Sequence, residues 1–277
     1  MKKIYGVILG LIVMSFLITS CSDSGTNPES KRMRTYARLT NEFDSYDNQI
    51  YSSGYVSVDY YPAVSQTAFV LDGLNIYEDD YYGMTGRSWW YDEDWDDPIY
   101  HWLANKSYEV EITSNNRDYI STSNCELPEA FVINEDSLPD EINPWSDFVL
   151  NWSNCENETN FRLYYSIETD YSSVDSLIIL DSDTNVFTFT SNMLNIPGAE
   201  EISINLSAIN GPAITPNLDG NFTGDGYGYF YGEYDPGYIY INYENSRNNI
   251  SNQIISSNRE KELKEKEEEL FKNYLGF

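Results

Sequence analysis

A period-two alternation of apolar and polar residues, repeated in short runs, constrains this chain more than any other feature. In Ser107–Thr113 (SYEVEIT) the residues Tyr108, Val110 and Ile112 fall on one side, with Glu109 and Glu111 on the other. Successive side chains of a strand point to opposite faces, so this is the signature of a half-buried strand. Val56 and Val58 with Tyr60 repeat it, as do Phe148-Leu150-Trp152, Phe161-Leu163-Tyr165-Ile167 and Ile202-Ile204-Leu206-Ala208. Clusters of Asn, Asp, Gly and Pro separate the runs, and no helical crossover joins them. The pattern predicts an all-β body of antiparallel sandwiches and argues against a parallel sheet.

The chain is long enough for two domains of ordinary size. Residues 36–130 form the first, Ig-like by composition. In residues 131–245 the order of runs is more telling. Trp152 ends FVLNWS, FRLYYSIE follows, then VFTFTSNML, the turn Leu194 to Glu200 with its Pro197-Gly198, and the run Ile202 to Gly211. That order resembles a fibronectin type III domain. The resemblance makes Trp152 the core tryptophan and implies a role as a spacer or binding module. The family's tyrosine at the start of the last of these strands is here Ile202, which puts its corner hydrogen bond in doubt. Beyond the body, residues 256–277 change character. Ser257-Asn258-Arg259-Glu260 has capping-box spacing, and Glu260–Lys264, Glu262–Lys266 and Glu268–Lys272 stand at i,i+4. Leu263, Leu270, Phe271, Tyr274 and Leu275 gather on one side. A helix from about 258 to 275 is predicted, docked on its own body or on a partner.

At the other end, MKKIYGVILGLIVMSFLITSC places two lysines before an apolar run, then small residues and Cys21. The run is short for a membrane span, at about 15 residues, and right for a secretory signal over 1–20. Ile18-Thr19-Ser20-Cys21 resembles a bacterial lipobox. The resemblance implies cleavage before Cys21, acylation of that residue, and attachment to the cell envelope. Ser22 rather than Asp follows the cysteine, which in that family favours the outer membrane. Residues 21–35 then read as the lipidated end and a flexible tether.

The 277 residues carry 16 Lys+Arg against 45 Asp+Glu, a net −29. Cleavage of residues 1–20 removes Lys2 and Lys3 and no acid, so the mature chain stands at −31. Between Leu39 and Ser246 the bases are Arg87, Lys106, Arg117 and Arg162. So acidic a body repels phosphate backbones, and nucleic acid is excluded as a partner. Cys125 and Cys155 remain beside Cys21. A disulfide between them, stapling the two domains, is the expectation for an exported protein, with two free thiols as the alternative.

The stretch RSWWYDEDWDDPIYHW (87–102) concentrates four of the six Trp. Trp89, Trp90, Tyr91, Asp92, Asp94, Trp95, Asp96 and Trp102 supply ring faces and carboxylates, the pairing that binds sugars or a protein partner; packing of rings against the first sandwich, with the acids facing water, is the leading reading and ligand or partner contact the sharper alternative. The acids alternate as in a calcium loop, but the position of the turn glycine is Asp97 and position 12 is Leu103, so an EF-hand is excluded and an irregular calcium site stays open. Asp219-x-Asn221-x-Thr223-Gly224 fails likewise, with Phe230 at position 12. His101 is the sole histidine and no Gly-x-Ser-x-Gly elbow occurs, so no enzyme chemistry is predicted and no cofactor is expected. In GNFTGDGYGYFYGEY (220–234), glycines alternating with aromatics suggest a bulged strand or a close backbone approach. Together these features predict a lipid-anchored envelope protein that acts by binding: a protein partner first, a glycan second, calcium-dependent adhesion third.

Overall fold

A computed structural model describes residues 33–44, 49–60, 67–71, 74–76, 87–92, 102–114, 119–212, 220–244 and 257–276. The folded unit is mostly strand, arranged in sandwich-type sheets, with a helix at its C-terminal end. The first sandwich is framed by a long antiparallel hairpin of β1 (Met33–Asp44) and β2 (Gln49–Tyr60), with β3 (Thr67–Leu71) and β4 (Leu74–Ile76) in the opposing sheet. Strand β5 (Arg87–Asp92) adds to β2 and ends the sheet. The opposing sheet continues through β6 (Ser107–Ser114) and β7 (Tyr119–Glu126), and a fifth short strand from later in the chain pairs with β7. The alternation resolves as predicted: Tyr108, Val110 and Ile112 are buried, while Glu109 and Glu111 are exposed. They pack against Ala37, Leu39, Val56 and Val58 from the hairpin.

In the second half, β8 (Glu141–Ile142) and β9 (Phe148–Asn151) precede β10 (Asn160–Thr169), β11 (Ser173–Asp181) and β12 (Val186–Phe189). The one-turn α1 (Ser191–Leu194) leads to β13 (Ala199–Asn210). The β9–β12 pair faces the β11–β10–β13 sheet, and Trp152 lies buried between them, its ring 5.4 Å from that of Phe161. Gly198 takes a left-handed φ of +79° in the turn before β13, where a Cβ would cost strain. Tyr243, buried on the neighbouring strand, donates its hydroxyl to the Leu194 carbonyl at 3.1 Å.

The rest of the chain joins what the sequence reading keeps apart. After β14 (Thr223–Gly224), β15 (Gly226–Asp235) pairs in parallel along β1, from Met33↔Gly226 to Glu42↔Asp235. The same strand pairs with β13 at Ala208↔Tyr234, and β16 (Ile239–Tyr243) continues that edge. One nine-stranded sheet therefore runs through both halves, with a single long parallel pairing in an otherwise mainly antiparallel body. One face of β15 sends Phe230 into the first core and Tyr234 into the second. Between them stands Gly232, where a Cβ would lie 2.2 Å from the Glu126 carbonyl oxygen. At Gly228, whose φ is +130°, a Cβ would meet the Thr35 carbonyl oxygen at 1.8 Å. The alternating glycines thus mark close approach of backbone to backbone.

The other face of β15 carries Tyr229, Tyr231 and Glu233, covered by α2 (Ser257–Leu275). The helix docks on its own sheet. Its buried residues are Leu263, Glu267, Phe271 and Leu275, a strict i,i+4 stripe. Leu270 is half-buried and Tyr274 exposed, so the predicted apolar side is rotated toward that stripe. No helix among the described residues is long and apolar enough to cross a membrane.

Candidate functional site

The densest chemistry in the described residues lies in the seam beneath α2. Arg162, the third residue of β10, is buried on a strand with both faces covered. It pairs with Glu233 of β15, and its Nε lies 2.8 Å from Glu267 Oε1 of α2. Arg38 of β1 reaches Glu268 at 3.0 Å and Glu233 at 3.7 Å. Around this centre Lys264 pairs with Glu42, Arg259 pairs with Glu168 at 3.0 Å and with Glu201, and Lys266 Nζ donates to Ser173 Oγ at 2.9 Å. Arg34 donates to the carbonyl of Gly276, and Lys272 sits 4.8 Å from the ring of Tyr36. Removing one partner from the buried centre of Arg162, Glu233 and Glu267 leaves a charge stranded away from water, at a cost of about 3–5 kcal/mol.

A cavity of about 50 Å³ lies within the seam, lined by Arg38, Thr40, Arg162, Glu233, Glu267 and Glu268 among others. Small-molecule pockets run to roughly 300–1,000 Å³, so this space suits water and protons rather than an organic substrate. Tyr238 donates its hydroxyl to Glu267 Oε2 at 2.6 Å. Burial pushes the Glu267 carboxyl up to about 7; Arg162 opposes this, while the charges of Asp235 and Glu233 reinforce it. Glu268 behaves oppositely. Burial would raise it, but Arg38 and Lys272 hold it below the usual carboxylate range.

The residues singled out from sequence are scattered by comparison. Asp94, Trp95, Asp96 and His101 lie outside the described residues, as do Cys21 and the whole N-terminal segment. Trp89, Trp90, Tyr91 and Asp92 belong to β5, whose backbone pairs with β2 in the register Val56↔Trp89 to Ser53↔Asp92. Trp102 takes the packing alternative and not the ligand or partner surface: it is 5% exposed, its indole N–H donates to the Ser53 carbonyl at 2.9 Å, and its ring meets Tyr108 at 5.3 Å. It is a core residue, held by packing and not available to a ligand.

The expected staple between Cys125 and Cys155 is likewise not formed; both are free thiols. Cys125 is packed in the first core and Cys155 in the second, where its thiol donates to the Glu129 carbonyl at 3.0 Å. Burial, with the nearby Glu158 charge, pushes the Cys155 thiol up to about 12, which keeps it protonated and inert. In the second candidate calcium loop, Asn221 is engaged by the fold: its amide donates to the carbonyls of Asn124 and Phe230, and its oxygen accepts from the Phe230 N–H. Among the described residues no group of three or more His, Cys, Asp or Glu is placed to hold a metal ion.

The seam is almost invisible in the sequence. One signal was present: Glu267 occupies the i,i+4 position that Leu263, Phe271 and Leu275 mark as buried. An acid in an apolar stripe points to a buried partner.

No family model matches the chain, and no curated protein matches it. Among solved structures it is similar to a segment of two fibronectin type III domains from chicken tenascin, at 9% identity over 68% of this chain and 91% of that one, with a TM-score of 0.26. It is also similar to the FN1–FN3 domains of chicken CNTN1, at 9% identity over 77% of this chain and 65% of that one, with a TM-score of 0.24.

Proposed function

We propose that this chain is an envelope lipoprotein, anchored through Cys21, that acts by holding a protein partner rather than by chemistry. The observation that carries the reading is the place of β5. The Trp-rich stretch opens as the terminal strand of the nine-stranded sheet, and among the described residues β5 is hydrogen-bonded to β2 alone. A sheet edge offers one row of backbone N–H and C=O groups, which an incoming strand of another protein can pair. The charged seam supports the same conclusion, because its groups are engaged in holding α2 and its cavity is too small for a substrate.

Two experiments test this. An alkynyl fatty acid fed to the producing cells labels the wild-type chain and leaves Cys21→Ala unlabelled. Successive N–H groups of a strand point to opposite sides, so of Trp89→Pro and Trp90→Pro one removes a bond to β2 and the other blocks the open edge. The variant that blocks the edge stays folded and loses its co-purifying envelope protein. Retention of that protein by both variants at the wild-type yield contradicts the proposal.

A further inference from the structure

We propose that α2 is a proton-controlled latch, seated on the sheet across a water-filled seam in which Glu267 gains and loses the controlling proton. The geometry comes first. Five carboxylates (Glu42, Glu233, Asp235, Glu267 and Glu268) and three bases (Arg38, Arg162 and Lys264) line the cavity. With every group ionised these eight lining groups sum to −2; Lys272, beside Glu268 at 3.5 Å, offsets one of the two charges, and a proton on Glu267 removes the other.

Water completes the site. Thr40 Oγ1, Arg162 Nη1 and Glu233 Oε2 are buried and make no hydrogen bond within the protein. Donors and acceptors that lack a hydrogen bond thus line one cavity, with Arg38 still 3.7 Å from Glu233 Oε2. A bare cation would leave Arg162 Nη1 unmatched, and an anion would face Glu233; water serves both. A cavity of about 50 Å³ holds about three waters at ~15 Å³ each. That chain of water gives Glu267, itself 2% exposed, a route for proton exchange.

Every element packed against Glu267 contributes to its field. From β1 come Tyr36, Arg38 and Glu42, and from β10 and β11 come Arg162, Tyr164 and Asp175. From β15 come Tyr231, Glu233 and Asp235, and from the turn beyond it Tyr238. The helix itself adds Glu260, Lys264, Glu268 and Lys272. Burial together with the anionic neighbours places the docked carboxyl at about 7, against 4.5 for the ordinary group. The docked helix thus holds the proton more tightly than the released one. The contribution is fully present below the ordinary value and is lost as pH rises through about 7.

Linkage between those two values loosens the latch about tenfold from pH 6 to pH 8.5. Hydrogen–deuterium exchange on the full mature chain, expressed as protection relative to the intrinsic amide rate at each pH, reads this directly. Protection of the 257–275 amides falls about tenfold over that range while β10 and β13 hold theirs. In Glu267→Gln the fall is threefold or less, and in Glu269→Gln, an exposed acid on the same helix, it stays about tenfold. A flat wild-type profile overturns the proposal, and that arm stands even where Glu267→Gln fails to fold. So does a Glu267→Gln profile equal to wild type, or a fall shared equally by β10 and β13.

Discussion

Gly232→Ala is the most informative single change. Added at this position, a Cβ lies 2.2 Å from the Glu126 carbonyl oxygen, 2.9 Å from its carbon and 2.9 Å from Leu127 Cα. All three atoms are backbone, so no side chain can turn aside, and β15 must move away from the segment that leaves β7. Overpacking of this kind costs about 1–3 kcal/mol, and a rigid clash falls at the upper end. For a unit of this size about 3 kcal/mol lowers Tm by roughly 6–12 °C. Thermal unfolding followed by circular dichroism measures it. The control is Gly198→Asn, where φ is +79° and nothing lies within 4 Å of the added atom. Asn tolerates the left-handed region, so Tm should stay within about 2 °C of wild type. If Gly232→Ala also melts within about 2 °C of wild type, the close crossing of β15 over that segment is refuted.

Three further outcomes follow from the packing. Phe271 is fully buried against Tyr231, with ring centroids 5.5 Å apart, and Phe271→Ala should cost about 3–5 kcal/mol in urea unfolding while destabilising α2 more than β6 or β7. Tyr243→Phe removes the hydroxyl that reaches Leu194 and should cost about 1–3 kcal/mol by the same measure, because a buried carbonyl loses its partner. Iodoacetamide should modify Cys125 and Cys155 after denaturation without reductant and leave both unmodified in the native protein; modification that requires reductant would mean a bond the structure does not contain.

Much of the fold is legible in the sequence because burial on one face writes itself as alternation. Tyr108, Val110 and Ile112 opposite Glu109 and Glu111 need no further information, and Trp152 stands where the order of runs puts it. The joining of the two halves is not legible. β15 pairs with β1 across most of the chain's length, and both of its faces are covered, so its pattern loses the polar phase that would set its partner. The glycines at 228 and 232 do register the crossing, as positions where only backbone fits, without saying what crosses.

The site divides in the same way. A buried Arg162 and an exposed one are the same letter, and only Tyr164, an aromatic on the same face of the strand, hints that this face is covered as well as that of Phe161 and Leu163. Trp102 misled for the complementary reason. Composition placed it with the other tryptophans of 87–102, whereas its indole N–H and the Ser53 carbonyl fix it in the core.

Addition of a partner strand at the β5 edge is the function we propose for this body. In-cell photo-crosslinking from a probe at Tyr91, followed by mass spectrometry of the adducts, tests it most directly. One recurring envelope protein should be captured from Tyr91 and not from a probe at Thr188 on the second sandwich. An anchored, folded chain that yields no adduct at Tyr91, or the same adduct from both positions, would contradict it.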